Sequence, residues 1–168
     1  MAENEVMLCP ALKDLDTKKT ILFVCTGNTC RSPMAAALFN HLFKDSPYLA
    51  SSAGLYADGS PISENALAAL MEKGVLPTQN NDYRNHISRQ LDEKLVNEAG
   101  MIVGITGSHA MEIIFRYPAS ASKVAVMPED VPDPYGGGID VYRECLNKME
   151  ELLKVSFREN TSEGEKHE

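Results

Sequence analysis

The stretch VCTGNTCRSPMAAAL, Val24 to Leu38, decides how this chain is read. An apolar, β-branched run, TILFVC, ends in Cys25. A turn of Thr26, Gly27, Asn28, Thr29 and Cys30 follows, and Arg31 stands just where a helix begins. Ser32-Pro33 suits a first helical turn, because proline lacks the N–H that would be spare there. Met34, Ala37, Leu38, His41 and Leu42 then fall three and four apart, the spacing of one helix face. An apolar run without alternation is what a strand buried on both sides of a parallel sheet requires.

Working outward, the same alternation recurs. YLASSAG at 48–54 reads as a second strand. Ser60-Pro61 reads as the cap and first residue of a helix carrying Leu67, Leu70 and Met71 and closed by Gly74. Ser88 is expected to cap a further stretch with Leu91, Leu95 and Val96, ending at Gly100. MIVGIT at 101–106 is a strand, 108–116 a helix with Met111, Ile114 and Phe115, and KVAVM a fourth strand. After the loop EDVPDPYGGG, residues Tyr142, Leu146, Met149 and Leu153 mark a long last helix. Strands alternating with helices predict an α/β fold, a parallel sheet covered on both faces. In such sheets the ligand lies beyond the carboxyl ends of the strands, which is where Cys25 ends the first one.

The 168 residues suit a single domain, 19–157, between an N-terminal tail or arm, 1–18, and a polar C-terminal tail, 158–168, expected to be disordered. A net charge of −8 excludes a broad footprint for nucleic acid or an anionic membrane. Any anion must be held by a local device. The four cysteines, Cys9, Cys25, Cys30 and Cys145, match no zinc spacing, so no metal and no cofactor is expected. Neither the apolar core of a secretion signal nor a spanning helix is present in the sequence. The expectation is a cytoplasmic protein whose thiols stay reduced.

A glycine-containing loop running into a helix N-terminus can gather N–H groups around an oxyanion. Gly27 and Asn28 are the residue types that best tolerate the unusual backbone this needs. Arg31 adds a planar fork for two phosphate oxygens, and Cys25, facing amides and that guanidinium, is expected as a thiolate. A nucleophile beneath a cradled tetrahedral anion implies phosphoryl transfer to sulfur. The leaving group then needs a proton from a loop at the same end of the sheet. Of Glu129, Asp130 and Asp133, the last is held between Pro132 and Pro134, which aim it. Tyr135 is a candidate pocket wall and Gly136 to Gly138 a bare rim. His41 and Cys145 read as core residues, and Cys9 is unassigned.

VCTGNTCRSP, with SAG at 52–54, HISRQL at 86–91 and DPYGGGIDVY at 133–142, resembles the low-molecular-weight protein tyrosine phosphatases from about Thr20 to Phe157. The resemblance implies a single-domain, four-stranded parallel sheet, doubly wound and flavodoxin-like. It implies metal-independent, two-step hydrolysis of phosphorylated protein side chains through a phosphocysteine, with inorganic phosphate as product. It assigns Cys25 as nucleophile, residues Thr26 to Ser32 as the phosphate-binding loop and Asp133 as the general acid. Asn28, Ser32, Ser52 and His86 become a network bracing the loop, in which Ser32 can donate to the Cys25 sulfur. Cys30 reads either as a small buried hydrophobe or, as the family implies, as a redox partner that traps oxidised Cys25.

Phosphotyrosine is the family's named substrate. Thr29 and the motifs GNTCRSPMA and DP-aromatic-GG-x-ID-x-Y also resemble the bacterial protein-arginine phosphatases. A small polar wall at Thr29 suits a guanidinium better than a bulky apolar one would. Arsenate reductases share the loop but relay a disulfide to further cysteines, and residues 80–100 contain none. A non-catalytic phosphoprotein-binding module would lack the nucleophile or the acid, and both are present.

Overall fold

β1, Thr20–Cys25, is the strand around which the rest is arranged. The computed structural model describes residues 20–166, with side chains through Phe157. The expected N-terminal arm and Cys9 lie outside the described residues. β1 pairs in parallel with β2, Leu49–Gly54, on one side and with β3, Met101–Gly104, on the other. β3 in turn pairs in parallel with β4, Val124–Val126, so the strand order is β2-β1-β3-β4. This is the single-domain, four-stranded parallel sheet expected from the sequence. The chain leaves β1 toward one edge and later returns toward the other. A crevice therefore opens beyond the carboxyl end of β1, the position where such folds bind ligands.

Alternation along β1 divides the core. Ile21, Phe23 and Cys25 face α1, Arg31–Leu42, together with α2, Glu64–Glu72, and α5, Ile139–Lys166. Leu22 and Val24 face α3, Glu93–Glu98, and α4, Gly107–Arg116. Phe23, Phe39, Leu38, Met34 and Met149 are fully buried on the first side. At about 1.5–3 kcal/mol for each large apolar side chain removed from water, these contacts anchor α1, and with it the loop that precedes it.

Several local expectations need correction. Ser63, not Ser60, caps α2, accepting from the Ala66 N–H. Pro61 is held in a bridge to Ile87, so the chain stays extended past it before turning helical. Asp92, not Ser88, caps α3, accepting from the Leu95 N–H at 2.9 Å. Ser88 instead accepts from the Gly59 N–H and ties the two loops together. The apolar residues that mark α4 are not its core face: Met111 and Phe115 are exposed, whereas His109, Ala110 and Ile113 point inward. His41 is only half-buried on the last turn of α1, while Cys145 is buried as expected.

Candidate active site

The loop between β1 and α1 is braced from below. Asn28 has φ of 61°, the left-handed region that costs a non-glycine residue about 1–3 kcal/mol. Four hydrogen bonds, each of about 1 kcal/mol, can offset that cost. Asn28 Nδ2 donates to Ser32 Oγ at 2.7 Å and to Ser52 Oγ at 3.0 Å. Its Oδ1 accepts from the Arg89 N–H at 2.9 Å, and its carbonyl accepts from His86 Nε2 at 2.8 Å. The structure thus places Asn28, Ser32, Ser52 and His86, the four residues the family resemblance singles out, within one set of hydrogen bonds, and adds the Arg89 backbone. Burial, the largest effect on His86, pushes its pKa below the ordinary value, against the Asn28 carbonyl, which raises it.

β2 closes the loop from the side. The Leu55 and Tyr56 N–H groups donate to the carbonyls of Cys25 and Thr26. Gly54 is required here, because a Cβ would stand 2.7 Å from the Thr26 carbonyl oxygen and 2.9 Å from Asn28 Cβ. With the carbonyls facing outward in this way, the N–H groups of Gly27, Asn28, Thr29 and Cys30 donate to no acceptor among the described residues. The first turn of α1 adds further N–H groups without intrahelical partners. A cluster of free donors at a helix start is a ready site for an anion.

Cys25 lies at the base of this loop, 2% exposed, with its sulfur 2.9 Å from Ser32 Oγ. The Ser32 oxygen accepts from Asn28, and its own hydrogen has two acceptors within reach, the Cys25 sulfur at 2.9 Å and the Ala53 carbonyl at 3.4 Å. Arg31 is buried; its Nη1 donates to the Val131 carbonyl at 3.1 Å and its Nη2 lies 3.5 Å from Asp133 Oδ2. The three loop carboxylates are now distinguishable. Glu129 pairs with Lys148, and Asp130 accepts from the Gly107 N–H. Asp133 faces Arg31, its side chain 55% exposed, with Oδ1 accepting from the Tyr135 N–H. Tyr135 stands beside it, 77% exposed.

Thr29 and Cys30 occupy the side of the loop toward α5. Thr29 Oγ1 is 3.7 Å from the Cys30 sulfur, which in turn lies 3.3 Å from the Tyr142 hydroxyl. Burial first, then the Cys30 bond, push the Tyr142 phenol up to about 12, so it remains neutral. Cys25, Cys30 and Cys145 are all free thiols here, and burial pushes Cys145 up to about 12.

On the opposite side stands a residue that sequence reasoning missed. His109 Nε2 lies 3.0 Å from Thr26 Oγ1. Its pKa is pushed down to about 4, by burial first and then by the Arg31 charge. The signal was present in TGSH at 106–109, where Thr106 caps α4 and the residue three later reaches back. Among the described residues no cluster of three His, Cys, Asp or Glu could hold a metal, and no helix is long and apolar enough to cross a membrane.

Comparison with known proteins matches this geometry. The family profile described as low molecular weight phosphotyrosine protein phosphatase fits residues 20–165. A protein-arginine-phosphatase of Bacillus subtilis is 36% identical over 144 residues, covering 80% of this chain and 91% of the relative. A low molecular weight protein-tyrosine-phosphatase, PtpB, of Staphylococcus haemolyticus is 32% identical over 140 residues, covering 79% and 94%. Among solved structures, the YwlE arginine phosphatase from Geobacillus stearothermophilus superposes with a TM-score of 0.76 at 35% identity, covering 89% of this chain and 97% of that one. A run of free N–H groups following a cysteine, an arginine six residues on, and a profile that spans nearly all the described residues have one common explanation. The chain belongs to the low molecular weight phosphotyrosine protein phosphatase family, whose members are cysteine-dependent protein phosphatases.

Proposed function

We propose that this chain hydrolyses phosphorylated protein side chains through a phosphocysteine at Cys25, and that phosphoarginine is the substrate its pocket favours. The observation that carries the chemistry is the Ser32 hydroxyl 2.9 Å from a sulfur at the start of a loop whose backbone N–H groups are free. In the first step the Cys25 sulfur attacks phosphorus. The S–P bond forms as the P–N bond of phosphoarginine, or the P–O bond of phosphotyrosine, breaks. Asp133 gives its proton to the leaving atom, and the loop N–H groups with Arg31 hold the phosphoryl oxygens. In the second step water attacks phosphorus and Asp133 takes its proton. The electron pair of the S–P bond returns to sulfur, steadied by Ser32, and inorganic phosphate leaves.

Thr29 supports the choice of substrate. Its small polar side chain stands beside Cys30, where a guanidinium gains hydrogen-bond partners that a phenyl ring cannot use. The arginine phosphatases of Bacillus subtilis and Geobacillus stearothermophilus, at 36% and 38% identity, agree with this reading. Phosphotyrosine has its own support in Tyr135, whose exposed ring beside Asp133 can stack on a phenyl group.

The test compares kcat/KM on one peptide carrying either phosphoarginine or phosphotyrosine. Wild-type protein is expected to favour phosphoarginine, and Cys25→Ser to be inert on both. Thr29→Ile is expected to shift the ratio toward phosphotyrosine by about tenfold or more. An unchanged ratio in Thr29→Ile rules out the phosphoarginine argument, and residual turnover by Cys25→Ser rules out the phosphocysteine.

A further inference from the structure

Thr26 is the loop residue next to the nucleophile, yet unlike Cys25 its side chain is exposed. Its hydroxyl is nonetheless tied down. His109 Nδ1 lies 3.2 Å from the Thr106 backbone nitrogen, whose N–H it accepts, so this ring nitrogen carries no hydrogen. In the neutral ring the hydrogen is therefore on Nε2, which donates to Thr26 Oγ1 at 3.0 Å. A second hydrogen on Nδ1 would oppose the Thr106 N–H and break the cap of α4, and the depressed pKa agrees with this. Arg31 and Asp133 both act on His109 electrostatically, so the His109–Thr26 pair belongs to the same mouth as the Arg31–Asp133 pair.

We infer that Thr26 is a second specificity-determining residue, its hydroxyl fixed by a neutral His109 so that one lone pair and one hydrogen remain for the phosphoguanidino group. A hydroxyl oxygen has two lone pairs and one hydrogen. With one lone pair filled by His109, the other can accept a guanidinium N–H and the hydrogen can go to a phosphoryl oxygen. A phenyl ring offers no N–H to that lone pair. The wall facing Thr29 across the loop is thus polar as well, and the two threonines together favour a donor-rich leaving group. His109 acts through Thr26 and is a positioning residue. This inference rests on the phosphoarginine reading given above.

The experiment measures kcat and KM for Thr26→Val, Thr26→Ser, His109→Phe and His109→Gln on the paired phosphoarginine and phosphotyrosine peptides. Thr26→Val keeps the shape and removes the hydroxyl. It is expected to lower kcat/KM for phosphoarginine about tenfold or more, chiefly through KM, and for phosphotyrosine by a clearly smaller factor, because both substrates lose the phosphoryl contact but only phosphoarginine loses the guanidinium one. Thr26→Ser is expected to restore the ratio. His109→Phe should move the ratio the same way by a smaller factor, His109→Gln, which keeps a donor, should not, and His109→Phe should add nothing to Thr26→Val. A purely structural role for His109 would lower Tm without changing the ratio, and that outcome overturns the inference. So does Thr26→Val slowing both substrates equally. Wild-type activity confined to phosphotyrosine overturns the phosphoarginine reading and this inference together, whereas wild-type activity on phosphoarginine with an unaffected Thr26→Val overturns this inference alone.

Discussion

At the scale of single residues, the loop is a set of positions with one task each. Asn28 carries the strained backbone, and its amide spends every donor and acceptor on keeping it. Asn28→Ala removes three of those bonds and leaves the backbone strained. It is expected to weaken phosphate binding and to reduce kcat/KM by about a hundredfold or more, checked by titration with inorganic phosphate and by steady-state kinetics. Ser32→Ala removes the hydroxyl from the sulfur. If Ser32 eases release of phosphate from Cys25, phosphocysteine will accumulate, visible as a burst of released peptide followed by slow turnover. Asp133→Ala is expected to lower kcat about 10²–10⁴-fold on peptide substrates but far less on an aryl phosphate with a very good leaving group. An equal loss on both would remove Asp133 from the acid's role.

At the scale of elements, the site depends on how closely β2 approaches the loop. Gly54 lies in β2 because no side chain fits against the Thr26 carbonyl and Asn28. Gly54→Ala must push β2 or the loop aside, since the blocking atoms, the Thr26 carbonyl oxygen and the Asn28 Cβ, cannot rotate away. It is expected to cost about 1–3 kcal/mol in urea unfolding and to abolish activity at temperatures where the protein is still folded. Activity retained at the wild-type level would show that the loop tolerates displacement. α4 has a comparable dependence on one residue, because its cap, its N-terminal turn and the Thr26 contact all pass through His109.

At the scale of the whole molecule, the buried His109 and the half-buried His86 weaken the fold on the acid side. His109 is held near 4 when folded and titrates near 6.5 when unfolded, and His86 is shifted in the same direction. Arg31, with Glu112, Asp130 and Asp133, faces His109 and shapes that shift. Between these two pH values the unfolded chain binds more protons. Stability is therefore full above about pH 6.5 and falls as pH drops toward 4, by about 3 kcal/mol from His109 alone. Urea unfolding across pH 4–7 should show that slope, and His109→Gln should flatten it.

The strand–helix alternation, the Cys25–Arg31 loop and the proline-flanked carboxylate at Asp133 were legible because each is written locally. A buried strand needs an apolar run, an anion loop needs glycine and asparagine before a helix, and an acid confined between prolines stands out in its own sequence. His41, the caps at Ser63 and Asp92, and the inward face of α4 were not legible, because neighbours distant in sequence outvoted the local pattern. Pro61 pairs with Ile87 and so delays α2. Met111 and Phe115 carry the helical period yet face solvent, while His109 turns inward because Thr26 and Thr106 offer it partners. A cysteine at the end of an inner parallel strand and an arginine opening the next helix follow from local chemistry alone, since backbone preference and hydrophobic period act over a few residues. Which carboxylate faces Arg31, which glycine lets β2 close on the loop, and which histidine touches Thr26 are settled by contacts between distant segments. Those contacts join segments 26 to 102 residues apart in the chain, and their geometry exists only once both faces of the sheet are covered.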